Sequence, residues 1–157
     1  MRKKSKIVIF MFFIILLAFV MTGCGMFYDM PHDDEIKVKI QLDLQEDIGL
    51  LLIDWDVNGQ KGMSGTSNAD RSKIKHNDTE YWEFEKQFLE DPADTVGLTL
   101  KFIVVTEYFD PNYDFVYPEE YMMPMNEISF TADFGEIYFV TITGDNVNGY
   151  KAFLTVG

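Results

Sequence analysis

From residue 36 onward the chain alternates apolar and polar positions. Ile36, Val38, Ile40, Leu42 and Leu44 are apolar, whereas Lys37, Lys39, Gln41 and Asp43 between them are polar. Successive side chains of a strand point to opposite faces, so this period of two predicts a half-buried strand over 36–44. The pattern returns at Leu51, Ile53, Trp55 and Val57 against Asp54, Asp56 and Asn58, and at Trp82, Phe84 and Phe88 against Glu83, Glu85 and Gln87. It returns again at Ile128, Phe130, Ala132 and Phe134 against Ser129, Thr131 and Asp133. Ile103, Val104 and Val105 run together inside 96–108, as expected of a central strand covered on both faces. Segments 137–143 and 150–156 complete a set of seven. Asn148-Gly149 between those two predicts a two-residue type I′ hairpin, because both turn positions need positive φ.

No segment combines helical periodicity with helix caps. Strands with one wet face each hide their apolar faces best against each other. The expected fold is therefore all-β: a two-layer antiparallel β-sandwich of immunoglobulin-like kind, with a small β-barrel as the alternative.

The amino terminus reads differently. Arg2, Lys3, Lys4 and Lys6 precede fifteen consecutive apolar residues, 7–21. As a helix that run would extend only about 22 Å, short of a bilayer core of about 30 Å, which suits a signal peptide better than a membrane span. Thr22, Gly23 and Cys24 follow at once, and Cys24 is the chain's only cysteine. This order resembles the bacterial lipoprotein signal, whose lipobox ends in a small residue, Gly or Ala, and then Cys. Met21 stands where Leu is usual and is likewise apolar and unbranched. The resemblance covers residues 1–24. It implies cleavage before Cys24, diacylglycerol on its sulfur, membrane attachment through that lipid, and a place in the bacterial cell envelope facing outside the cytoplasm. Two acyl chains suffice for stable anchoring. The expected organisation is a signal peptide at 1–23, a lipid-anchored tether at 24–35 and a sandwich domain at 36–157.

The leader changes how the charge is read. The whole chain carries 13 Lys+Arg against 26 Asp+Glu, a net −13. Four of the basic residues and none of the acidic ones lie in the first 23 residues, so the remaining 134 carry nine against 26, a net −17. Nucleic acid is not expected as a partner, since a phosphate-binding face needs clustered positive charge. One cysteine allows no internal disulfide, and a domain of this size can bury a sufficient core without one.

Two connections are longer than simple turns. The first, 58–79, is rich in Gly, Ser and Asn and polar enough for disorder; it holds Lys61, Arg71, Lys73 and Lys75. The second, 110–126, interleaves Tyr113, Phe115, Tyr117 and Tyr121 with Asp114, Glu119 and Glu120, and three prolines stiffen it. Loops of this length in a small domain are usually functional or disordered. Tyr113, Tyr117 and Tyr121 are candidate ligand-binding residues, flat rings able to stack on a carbohydrate or peptide. The opposing reading makes these rings a satellite hydrophobic cluster, with Met122, Met123 and Met125 filling gaps.

Asp54, Asp56, Asn58 and Gly59 spell D-x-D-x-N-G, the first half of an EF-hand-like calcium loop. The second half fails, since Gly65 stands where a bidentate Glu belongs and Lys61 where an apolar residue is usual. Asp54, Asp56 and Asn58 are thus candidate metal ligands, with calcium the candidate cofactor. The competing reading is the wet side of a strand running into an Asn-Gly hairpin. Catalytic residues are not expected: His32 lies in the tether and His76 in a polar loop, with no triad or histidine metal site. The expected function is a non-enzymatic, lipid-anchored binding domain for a protein or carbohydrate ligand, presenting loops 58–79 and 110–126. The alternatives are a calcium-dependent carbohydrate-binding module and a structural subunit of an envelope complex.

Overall fold

The computed structural model describes residues 31–91, 93–110 and 116–155. The leader, Cys24 and the tether up to residue 30 lie outside the described residues, and no described helix is long and apolar enough to cross a membrane. The strands are β1 (Glu35–Leu44), β2 (Leu50–Val57), β3 (Gln60–Thr66), β4 (Thr79–Glu85), β5 (Thr95–Val105), β6 (Met122–Asp133), β7 (Ile137–Asp145) and β8 (Gly149–Thr155). Two short 3₁₀ turns, Lys86–Phe88 and Glu119–Tyr121, are the only helical pieces described. The strands form two four-stranded sheets, ordered β4-β1-β7-β8 and β3-β2-β5-β6, stacked as a sandwich and not closed into a barrel. The architecture is the expected two-layer one, with its own strand order and one parallel pair, β1 with β7, in otherwise antiparallel sheets.

The core is built from the apolar phase of each strand. Ile36, Val38, Ile40 and Leu42 of β1 meet Leu51, Ile53 and Val57 of β2 and Leu98, Leu100, Phe102 and Val104 of β5 across the gap between sheets, all buried. As its continuous run predicts, β5 is also covered on its outer side, where Ile103 and Val105 join Leu50 and Leu52 in a second cluster. Trp55, Trp82 and Phe84 form an aromatic group at the β3/β4 side, with ring centroids 5.4–6.3 Å apart. Strand β4 stops at Glu85, and the 3₁₀ turn swings Phe88 outward instead of into the core.

Three expectations are corrected. Strand β3 lies inside what reads as a long polar loop, so there are eight described strands. It has no apolar phase because it is an edge strand held by ladder bonds to β2. Its Gly62 faces Trp55, whose indole would lie 2.2 Å from a Cβ at that position. The two-residue turn with both φ positive occurs at Asn58-Gly59 (φ 51° and 91°), where Val57 pairs with Gln60. At 145–149 the strands do pair, but Asp145 pairs with Gly149 and only Gly149 has positive φ. There the Asp145 carboxylate accepts the backbone N–H groups of Val147 (2.8 Å) and Asn148 (2.7 Å), which favours the longer loop. Finally, 122–126 belongs to β6, so Met125 lies in the main core and Met123 packs against it, with only Met122 on the satellite cluster.

The polar segment 67–78 is ordered by one apolar residue and a set of ion pairs. Ile74 is fully buried and exchanges two backbone hydrogen bonds with Ile48 (2.8 and 3.0 Å), and Ile48 is fully buried as well. Asp47 beside it accepts from Lys75 Nζ (2.8 Å) and from the His76 backbone N–H (3.1 Å), with His76 Nδ1 2.9 Å away. Lys73 pairs with Glu107 at 3.0 Å and Arg71 with Asp110 at 3.5 Å. With Lys61 3.6 Å from Asp56, all four cations of the 58–79 connection are engaged within the chain.

Truncating Ile74→Ala is expected to cost about 2–5 kcal/mol in urea denaturation, through lost burial and the cavity left behind. Limited proteolysis should then open 67–78 first. The hydrogen bonds from Lys75 and then His76 hold the Asp47 carboxyl well below the usual carboxylate range. A carboxyl whose folded pKa is depressed stabilises the fold above its unfolded pKa of about 3.9 and loses that contribution as pH falls through the folded value. Melting temperature should therefore drop on acidification below about pH 4, and Asp47→Asn should lower it at neutral pH while flattening that acid limb.

Candidate functional site

The outer face of the second sheet is divided in two. Along β2 the outward residues are Leu50, Leu52, Asp54 and Asp56, and along β5 they are Val105, Ile103, Lys101 and Thr99. The change from apolar to charged falls at the same height on both strands, because Leu52 pairs with Ile103 and Asp54 with Lys101. The chain covers the apolar half itself: Tyr117 is buried on Leu50, Leu52, Ile103 and Val105, flanked by Phe109, Tyr121 and Met122. Phe109 stands 5.4 Å from Tyr121 and 6.1 Å from Tyr117, centroid to centroid.

The charged half is left open. Two cross-strand rows run over it, Met63–Asp54–Lys101–Glu127 and Lys61–Asp56–Thr99–Ser129. Lys101 sits between two carboxylates, an arrangement that stabilises neighbouring strands where like charges would repel. In the second row Lys61 Nζ lies 3.6 Å from Asp56, and the Thr99 and Ser129 hydroxyls are 2.9 Å apart. Between these rows is a groove of about 290 Å³. It offers carboxylates, ammonium groups and hydroxyls on a rigid ladder, able to hydrogen-bond a polar ligand from one side. A bulge in β6 at the Lys101/Ile103 step ends this regular surface. Just beyond it, Asn126 gives its side-chain amide to the edge of β8, donating to the Ala152 carbonyl (2.9 Å) and accepting the Ala152 N–H (3.2 Å).

The candidate metal ligands lie at the end of the sheet that carries this half of the face, and two of them already accept backbone donors. Asp56 Oδ1 accepts the Gly59 N–H at 2.6 Å, closing the hairpin turn. Asn58 Oδ1 accepts the Gly97 N–H at 2.7 Å, tying that turn to β5. Asp54 faces Lys101 across the ladder. Among the described residues no group of three or more His, Cys, Asp or Glu is placed to hold a metal ion.

Of the candidate ligand-binding tyrosines, Tyr113 lies outside the described residues, Tyr117 is buried, and Tyr121 is half-buried against the same cluster. Trp82 and Trp55 also turn inward. Lys101, Glu127, Thr99 and Ser129 escape a reading of the sequence, because only strand register brings them beside Asp54 and Asp56. Elsewhere, burial pushes the Glu80 carboxyl up, with Thr66 donating to it at 3.0 Å. The Tyr150 phenol, buried and donating to Glu46, is held far above its usual range and stays a donor.

No protein-family model and no curated protein matches the chain. Solved structures that align with it include a non-haemolytic pneumolysin from Streptococcus pneumoniae strain ST306 (10% identity, TM-score 0.39, 78% of this chain and 24% of that one). Others are listeriolysin O (9%, 0.39, 78% and 22%) and a disulfide-locked mutant of intermedilysin with human CD59 (8%, 0.39, 78% and 24%). The chain spans less than a quarter of the length of these proteins, and none of their properties is carried to it.

Proposed function

We propose that the chain is a lipid-anchored, extracytoplasmic binding domain without catalytic activity, and that it takes a polar ligand in the groove over Asp54, Lys101 and Glu127. The observation that carries this reading is the division of one sheet face. The chain covers the apolar half with its own Phe109, Tyr117 and Tyr121 and leaves the charged half as an open groove. The order of basic, apolar and Thr22-Gly23-Cys24 segments supports the anchor. The cations of 58–79 are spent on carboxylates of neighbouring segments, and the described rings Tyr117 and Tyr121 are spent on the apolar half of the sheet. A glycan or peptide suits the groove, because hydroxyls and ammonium groups find carboxylate acceptors and carbonyls find Lys101.

The anchor is tested by metabolic labelling with a fatty acid and membrane fractionation. Label and membrane association should both disappear in Cys24→Ser, and an unlabelled wild type overturns it. The groove is tested by screening glycans and peptides against the mature protein. Asp54→Ala with Lys101→Ala should weaken binding at least about tenfold, the loss of about 1.4 kcal/mol expected from removing one or two charge-assisted hydrogen bonds, and should leave the melting temperature nearly unchanged. Binding that ignores both substitutions moves the site elsewhere, and co-purification with membrane proteins at fixed stoichiometry favours a structural subunit instead.

Calcium does not enter this reading, since Asp56 and Asn58 already accept backbone donors. Melting curves with millimolar calcium, magnesium or EDTA at equal ionic strength should coincide. A calcium-specific rise abolished by Asp54→Ala would instead establish the calcium-dependent module.

A further inference from the structure

The outer face of the first sheet carries three exposed aromatic rings. Tyr81 of β4, Lys39 of β1 and Phe139 of β7 lie in one cross-strand row. Phe153 of β8 stands opposite Thr141, one step along from the Phe139–Thr155 pair. The three rings remain 42%, 39% and 50% exposed. Beside Phe139 is an open groove of about 260 Å³ lined also by Lys39, Gln41, Thr141 and Thr155. Lys37 and Lys39 both lie over the Tyr81 ring, at 5.3 and 5.7 Å from its centroid. The open half of the opposite face has charged and hydroxyl side chains in place of such rings.

We propose that this face docks onto the lipid surface to which the chain is tethered, a reading that rests on the anchor at Cys24. Exposed aromatic rings are the side chains that settle at a membrane–water interface, with the ring in the headgroup layer; Lys37 beside them is already paired with Glu83 at 2.9 Å and takes no part. β1 starts at Glu35, eleven residues after Cys24, so the tether reaches at most about 40 Å. At that reach docking is an intramolecular event, for which effective concentrations approach millimolar, and three rings that would not hold a free protein on a bilayer are enough. Charge selects this occupant over a second copy of the chain. Two mature chains of net −17 repel each other, whereas a zwitterionic lipid surface does not repel either. On anionic lipid the same charge opposes docking, and added salt strengthens it by screening. With this face on the membrane, the charged groove on the opposite sheet points away from it, open to ligand.

The experiment uses the mature lipidated protein in phosphatidylcholine vesicles. Because Cys24 is acylated, an introduced cysteine is the single thiol, so an environment-sensitive fluorophore is placed at Lys151→Cys on the docking face or at Ser129→Cys on the opposite one. Emission at 151 should shift to shorter wavelength and be quenched by spin-labelled lipid, while emission at 129 should stay that of water. Phe139→Asp with Phe153→Asp should abolish the signal at 151 without releasing the protein from vesicles or changing its melt. Equal signals at 151 and 129, or a water-like signal at 151, overturn the proposal. So does a shift at 151 that ignores the lipid quencher and grows with protein density, which identifies a second copy as the occupant. Flotation with vesicles, lost in Cys24→Ser, reports the anchor separately. If the native anchor fails, attaching the same domain to chelator lipids through a histidine tag in place of Cys24 still decides where the face lies.

Discussion

The parallel ladder between β1 and β7 is the constraint on which the rest of the sandwich depends. It runs from Lys37–Ile137 to Leu44–Gly144, joining residues a hundred apart in sequence. Parallel neighbours cannot be joined by a tight turn, so everything between them must leave the sheet and come back. The chain does so by building the second sheet and adding β4 to the free side of β1 on the way. Only then do β7 and β8 close the first sheet. Because β1 is thereby internal, even Lys37 on its outer side is largely buried, paired with Glu83 at 2.9 Å and roofed by Tyr81.

Two edges of this arrangement are managed by single residues. Gly62 lets Trp55 lie flat against β3, so a strand with almost no apolar side chains still completes the sheet over the aromatic group. Asn126 uses both halves of its amide on the backbone of Ala152, in place of the ladder partner that β8 lacks on that side. An unsatisfied strand edge templates association with other chains, and the Asn126 amide reduces that exposure on β8.

Much of this was legible as face and little as neighbour. The period of two in β1, β2 and β6 says which side chains go inward, and Ile36, Leu51 and Ala132 are where it puts them. It cannot say that β1 lies beside β7, because alternation carries no information about partners. β3 escapes because Gln60, Lys61, Ser64 and Thr66 give no apolar phase, and its strand character comes from the ladder alone. Asn-Gly identifies a turn at both 58–59 and 148–149, yet the outcome differs because Asp145 captures two N–H groups in the second. At the candidate site the wet side of β2 is readable from Asp54 and Asp56. The residues that make it a groove, Lys101 and Glu127, require the register between three strands.

The charge of the domain takes on meaning from where its few cations sit. Lys61, Arg71, Lys73 and Lys75 neutralise carboxylates of neighbouring segments, so they stitch loops and leave the outer field acidic. Lys101 is different, because it divides Asp54 from Glu127 on an exposed face and keeps the carboxylates of the two flanking strands from repelling one another. That local balance makes the groove a place where a ligand meets both signs within one strand spacing, whatever the net charge around it. Selectivity there would come from matching alternation along the ladder rather than from long-range attraction, and salt would weaken it less than it weakens contacts that depend on the overall field.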